Sequence, residues 1–241
     1  MRKLLVLFIS FATASNLIAQ DSIKVNKGKL GYKDFIIPSA LIATGFVLKS
    51  PKIQTNIQEN ARKTFGPDFH TKIDDYIQFA PAAQVLTGNL LGFKSKHGYK
   101  QMIANLAISN IAVGIVTFGV KTAYKDLRPD GSAFNSFTSG HTATAFNNAT
   151  ILFLEYKDSN IWYASSGFAF ATATGVLRMA NNRHWSGDVV AGAGIGIAIA
   201  TIVTYWNPFN FDKKENKKIG LIGFPVINDQ STGIGLLCRI N

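Results

Sequence analysis

The amino-acid sequence predicts an all-α helical bundle, embedded in a membrane, with its active site at one end. Three observations carry this. Apolar residues make up 47% of the 241 positions and charged residues only 16%, against ~25% charged in an average soluble protein. The charges that remain sit between long uncharged runs. Those runs lack the strict alternation of a half-buried strand, so they read as helices.

Residues 1–20 read as a signal peptide or N-terminal anchor: Arg2 and Lys3 precede an apolar core from Leu4 to Ala14, and Ala19-Gln20 marks a cleavage zone. Residues 21–72 form an N-terminal helical or interfacial segment. Its apolar part, Phe35 to Leu48, is shorter than the ~17 residues needed to cross a bilayer. The main helical domain covers 73–211, with runs at Tyr76 to Phe93, Gln101 to Val120, His141 to Tyr156, Ser159 to Leu177 and Val189 to Phe211. Small residues between Ala191 and Ala200 would let helices approach closely, as membrane bundles do. Asn105, Asn110, Asn147 and Asn148 would suit a soluble helical domain equally well, so that alternative stays open. Residues 212–241 are a C-terminal tail with a short, weak β character.

The formal charge of +11 favours anionic partners. No helix-turn-helix, zinc-finger or RNA-binding signature accompanies it, so a phosphate substrate or a membrane surface fits better than nucleic acid. The single cysteine, Cys238, rules out an internal disulfide framework and a Cys-based metal site. No obligate protein partner is implied. Lys94, Lys96 and Lys100 precede one long run, and Lys213, Lys214, Lys217 and Lys218 follow the last. With both groups on the cytoplasmic side, the positive-inside rule places the opposite helix ends outside. The basic stretch 49–72 would then lie outside as well, a departure from the rule that could help to attract an anionic substrate.

Three clusters fall at those outer ends. In the first, Lys121 closes an apolar run and Arg128 precedes Pro129. A guanidinium can grip two phosphate oxygens, and an ammonium adds a point charge. In the second, Ser139-Gly140-His141 opens a helix, where free N–H groups can bind an anion or Ser139 can simply cap. In the third, Arg178 ends a run, and His184 stands four residues before Asp188. If a helix starts near His184, that spacing puts imidazole and carboxylate on one face, where the carboxylate fixes the tautomer. Asp126 and Asp130 are the only other carboxylates nearby, too few for a metal site, so no metal or other cofactor is expected.

Together, Lys121-x6-Arg128-Pro129, Ser139-Gly140-His141 and Arg178-x5-His184-x3-Asp188 resemble the three-part signature of the type 2 phosphatidic acid phosphatase superfamily. That superfamily also takes in bacterial acid phosphatases and vanadium haloperoxidases. The match spans roughly residues 76–206 and makes 73–211 the expected catalytic domain. Thr138 stands in place of the usual proline and Leu177 in place of a frequent serine.

The resemblance implies that His184 is the nucleophile, Asp188 its orienting partner and His141 the acid and later the base. Lys121, Arg128, Ser139, Gly140 and Arg178 would hold the phosphate. The implied reaction is metal-independent hydrolysis through a phospho-histidine, on a membrane lipid phosphate: phosphatidate, phosphatidylglycerol phosphate, undecaprenyl diphosphate or a lipid A phosphate. Head-group choice is expected in the 49–72 segment and the 129–138 loop. The implied location is a bacterial-type cell envelope, either the inner membrane with the site facing the periplasm or the periplasm itself. The alternatives are a soluble exported acid phosphatase and, from another class, a non-catalytic membrane carrier on the same scaffold.

Overall fold

The computed structural model describes residues 30–206, 209, 211, 219–228 and 231–240. The expected leader at 1–20 and the lysines at 213–218 lie outside the described residues. After a short 3-10 turn the helices run α1 (Ile36–Leu48), α2 (Pro51–Phe65), α3 (Ile73–Ile77), α4 (Ala80–Thr87), α5 (Tyr99–Tyr124), α6 (Gly140–Tyr156), α7 (Ile161–Ala180) and α8 (Ser186–Trp206). Two strands, β1 (Ile219–Asn228) and β2 (Ser231–Ile240), close the chain as an antiparallel ladder.

α6 is the central helix. It packs against α7, α8, α5 and α4, while α1 lies along α8. Its inner position explains its composition: Ala143, Ala145 and Ala149 are fully buried, as are Asn147 and Asn148. Each of the two buried amides bonds a neighbour on α5. Asn147 Nδ2 donates to Ser109 Oγ at 2.9 Å, and Asn148 Oδ1 accepts from Asn110 Nδ2 at 2.8 Å. Asn110, Asn147 and Asn148 thus form rungs between α5 and α6, while Asn105 accepts from Gln101 Nε2 within α5.

Glycine sets the helix spacing. A Cβ on Gly196 of α8 would lie 2.2 Å from the Ala143 carbonyl oxygen, and one on Gly45 of α1 would lie 2.8 Å from the Gly187 carbonyl. Both obstacles are backbone, so only glycine permits this approach.

Among the described residues two helices are long and apolar enough to cross a membrane: α5, with 26 residues, and α8, with 21. At 1.5 Å per residue these span about 39 Å and about 31 Å, enough for a ~30 Å hydrocarbon core. α5 presents Ile103, Ile111, Ile115 and Phe118 outward, each more than half exposed. Such a surface is costly in water and costs nothing in lipid. α1 and α2 meet at a 93° bend and could together make a third, broken span.

Two expectations are corrected. The apolar run Tyr76 to Phe93 is no single helix: it splits into α3, α4 and a loop. Pro81 takes the first turn of α4, where a missing N–H is harmless. Gly92, at φ 87°, then turns the chain away. The second correction concerns His184, which precedes α8 instead of lying on it. Its pairing with Asp188 has another cause, set out below.

Candidate active site

The C-terminal ends of α5 and α7 and the N-terminal ends of α6 and α8 meet at one pole of the bundle. α5 ends where Lys125 takes a left-handed conformation (φ 43°), and α7 ends just before Asn182 does the same (φ 59°). Asparagine tolerates that region well; lysine accepts it at some cost. Each reversal follows a cation, Lys121 on α5 and Arg178 on α7.

The 126–138 loop ties these ends together. Lys121 Nζ donates to the carbonyls of Asn135 and Ser136. Ser136 Oγ donates to Asp188 Oδ2, and Ser139 N donates to the Asp188 carbonyl at 3.0 Å. Arg128 N bonds the Ala133 carbonyl at 3.0 Å, which closes the turn that carries Pro129.

Asp188 is fully buried at the third position of α8, and its Oδ2 accepts the Trp185 N–H at 2.9 Å. That is one half of a capping box. The cap folds the chain back so that His184 Nδ1 lies 3.4 Å from the same oxygen. The pair is therefore made by a cap at the helix entrance. His184 is only 2% exposed, and this burial pushes its pKa down to about 4, against the opposing pull of Asp188. The charges of Lys121 and Arg178 reach His184 and lower it further. At neutral pH the imidazole is uncharged, and with Nδ1 toward Asp188 the nitrogen left for chemistry is Nε2.

Arg178 is 8% exposed. Its Nη1 donates to Asp74 Oδ2 at 2.7 Å and lies 3.8 Å from Asp75 Oδ1. Asp74 is itself clamped by Asn181 Nδ2 at 3.0 Å. The Nε–H groups of Arg178 and Arg128 are buried without a hydrogen-bond partner among the described residues. Arg128 feels the positive charges of Arg178 and Arg183, and burial with these neighbours lowers its pKa. Two guanidinium groups held close against their mutual repulsion, each with a free buried donor, suit a doubly charged oxyanion.

His141 stands in the first turn of α6, with Nε2 2.8 Å from Asp75 Oδ1. Burial and the nearby Arg178 lower its pKa, and Asp75 and Asp74 hold it up. Ser139 caps α6: it is fully buried, with Oγ on the Thr142 N–H and 2.9 Å from Thr142 Oγ1. Gly140 begins the helix, with its nearest neighbour to a would-be Cβ, Thr117 Oγ1, at 3.9 Å.

All eight residues singled out from the sequence thus fall at one pole. Asp126 and Asp130 are occupied as ion-pair partners: Asp126 holds Lys49, and Asp130 meets Arg183 at 3.2 Å. No group of three His, Cys, Asp or Glu side chains suited to a metal occurs among the described residues. Sequence reasoning missed Asp74, Asp75 and Ser136. The adjacent pair Asp74-Asp75 was the available signal, in a chain with only 14 acidic residues against 25 basic ones.

Residues 101–212 match the family model described as the PAP2 superfamily. The chain is 38% identical over 175 residues to a lipid A 1-phosphatase of Porphyromonas gingivalis, a match covering 68% of this chain and 39% of that relative. It therefore spans well under half the length of that protein. Among solved structures it is similar to Aquifex aeolicus LpxE, with 24% identity and a TM-score of 0.43, over 61% of this chain and 92% of that one.

Proposed function

The chain belongs, through residues 101–212, to the PAP2 superfamily, and on that premise we propose that it hydrolyses a lipid phosphate through a phospho-histidine. The observation that carries this is the gathering of Lys121, Arg128 and Arg178 around a buried, neutral His184 backed by Asp188.

In this reading His184 Nε2 attacks phosphorus as the bond to the leaving oxygen breaks. The three cations neutralise charge on the non-bridging oxygens. The Gly140 backbone, at the amino end of α6, adds a hydrogen-bond donor there. Ser139 acts mainly by holding that helix start in place. The imidazole becomes positively charged as it bonds to phosphorus, and Asp188 stabilises that charge through Nδ1. His141 gives its proton to the departing alkoxide, then takes one from water as the water displaces His184. Inorganic phosphate and an alcohol are the products.

The substrate we favour is a lipid phosphate, and among the lipid classes a lipid A phosphate, after the name of the P. gingivalis relative. The apolar outer faces of α5 and α8 support a membrane setting. Lys94, Lys96 and Lys100 lie at the pole opposite the site, where α5 begins. By the positive-inside rule that pole is cytoplasmic, so the site faces the periplasm.

The test is phosphate release from lipid micelles by purified protein. His184→Ala should lose activity, by about 10⁴-fold or more as for other lost nucleophiles. His141→Ala should accumulate an acid-labile phospho-enzyme labelled at His184. Full activity in His184→Ala would end the mechanism.

A further inference from the structure

Lys49 caps the end of α1, at the 93° bend that leads into α2, and none of the chemistry assigned above uses it. Yet it reaches three parts of the active pole. Its stem crosses the start of α8: a Cβ on Gly187, the residue before Asp188, would lie 3.2 Å from Lys49 Cγ. Its ammonium forms an ion pair with Asp126 and stands 4.6 Å from the centre of the Phe137 ring. Asp126 and Phe137 lie near the two ends of the loop that carries Arg128 and Ser136.

Two roles are open to such a contact. One is a tether for the loop. The loop already has other ties, however. Ser136 N donates to the Asp126 carbonyl at 2.8 Å, and Trp185 Nε1 donates to the Leu127 carbonyl at 2.9 Å. Lys121 Nζ holds the carbonyls of Asn135 and Ser136. Phe137 is 2% exposed and packs with Phe46 and Tyr124, ring centres 5.1 and 5.2 Å away. Against these ties, one partly exposed ion pair adds little.

The other role is electrostatic. Asp126 stands two residues before Arg128, whose Nε–H is buried without a hydrogen-bond partner among the described residues. A guanidinium with a free donor and a carboxylate on the same loop form a strong, charge-assisted pair wherever the chain lets them meet. Such a pair would fill the phosphate site with the protein's own anion. With its carboxylate engaged by Lys49, Asp126 is not available to do so.

We infer that Lys49 is a positioning residue: it holds the Asp126 carboxylate off Arg128 and so keeps the phosphate site open. The inference rests on the phosphatase reading of Arg128 and its neighbouring cations. Without Lys49, Asp126 becomes an internal competitor. It lowers the fraction of chains able to bind phosphate, and apparent affinity falls by the same factor. Saturating substrate displaces it, so KM rises while kcat stays. A distorted fold would instead lower kcat.

The test uses the full chain in detergent micelles, with p-nitrophenyl phosphate turnover and calorimetric binding of orthophosphate. Lys49→Met keeps the apolar stem over Gly187 and removes the charge. It should raise KM about tenfold, as occupation of Arg128 in about nine chains of ten requires, with kcat within about twofold. Orthophosphate affinity should fall by the same factor. Lys49→Arg should keep wild-type values. Asp126→Asn should stay within about twofold of wild type, and added to Lys49→Met it should restore KM, a non-additivity of opposite sign to that of a lost tether. A thermal melt checks that each variant folds, and Lys49→Gln repeats the comparison if the methionine variant does not. An unchanged KM in the charge-deleted variant would overturn the inference. So would a double variant no better than Lys49→Met, or Asp126→Asn as impaired as Lys49→Met, since both patterns belong to a tether. The binding arm separates this from failure of the catalytic reading. The expected order of orthophosphate affinities in chains that release phosphate from nothing would keep the role of Lys49 and remove the phosphatase. Turnover with equal affinities across the variants would do the reverse.

Discussion

Replacing His184 with glutamine should flatten the acid side of the stability curve, because wild-type folding keeps this imidazole from taking up a proton. Burial holds its pKa near 4, against 6.5 for the free side chain. Between those two values the unfolded chain binds a proton that the folded chain refuses. Stability therefore falls as the pH drops through that window, and this contribution is constant above it. Each pH unit costs about 1.4 kcal/mol, so acidification to about pH 5 should remove about 2 kcal/mol, and to about pH 4 about 3 kcal/mol. Glutamine does not titrate, so the variant lacks this slope while keeping every other titrating group. The assay is denaturant unfolding in detergent for both proteins from pH 7 to pH 5, with the two slopes subtracted. Parallel curves would refute the reasoning: His184 would then take up a proton freely in the folded state, and the neutral nucleophile would lose its physical basis.

Asp75 is the carboxylate on His141. In Asp75→Asn, burial and Arg178 act unopposed by that group, so the pKa of His141 falls further. The alkaline limb of kcat/KM should move to lower pH, since the acid must be protonated to serve the leaving group; a limb that stays in place would exclude this role. Gly196→Ala puts a methyl 2.2 Å from the Ala143 carbonyl oxygen and should destabilise by about 1–3 kcal/mol or more. Gly114→Ala on α5, with nothing within 4 Å, should be neutral or slightly stabilising in a thermal melt. Vanadate should inhibit competitively, while a chelator such as EDTA should leave the rate unchanged. Chelator inhibition reversed by a divalent cation would contradict a cage made only of side-chain cations.

The helical class was legible in the sequence, as was the placing of the eight singled-out residues at the ends of apolar runs, because each of these rests on a local signal; their roles came only from the resemblance of the three clusters taken together. Uncharged runs of this length without alternation read as helices. A cation or histidine at the end of such a run must lie at a pole of the bundle. The limits of that reasoning show at particular residues. Spacing of four suggested that His184 and Asp188 share a helix face, yet the Asp188 carboxylate capping the Trp185 N–H at the helix entrance makes the pair. Tyr76 to Phe93 looked like one span because composition records apolarity and says little about the break between α3 and α4.

The sequence by itself determined that the charged and histidine side chains of the three clusters would lie at helix ends, since charge is excluded from an apolar bundle. Only the tertiary structure decided which partners control them. Asp74 and Asp75 lie more than 60 residues from His141 and more than 100 from Arg178, and Gln58 faces Met179 and Asn182 across a similar gap. Ion pairs and hydrogen bonds over such distances leave no period or motif in the chain; they arise when helices pack closely enough to bring the groups into reach.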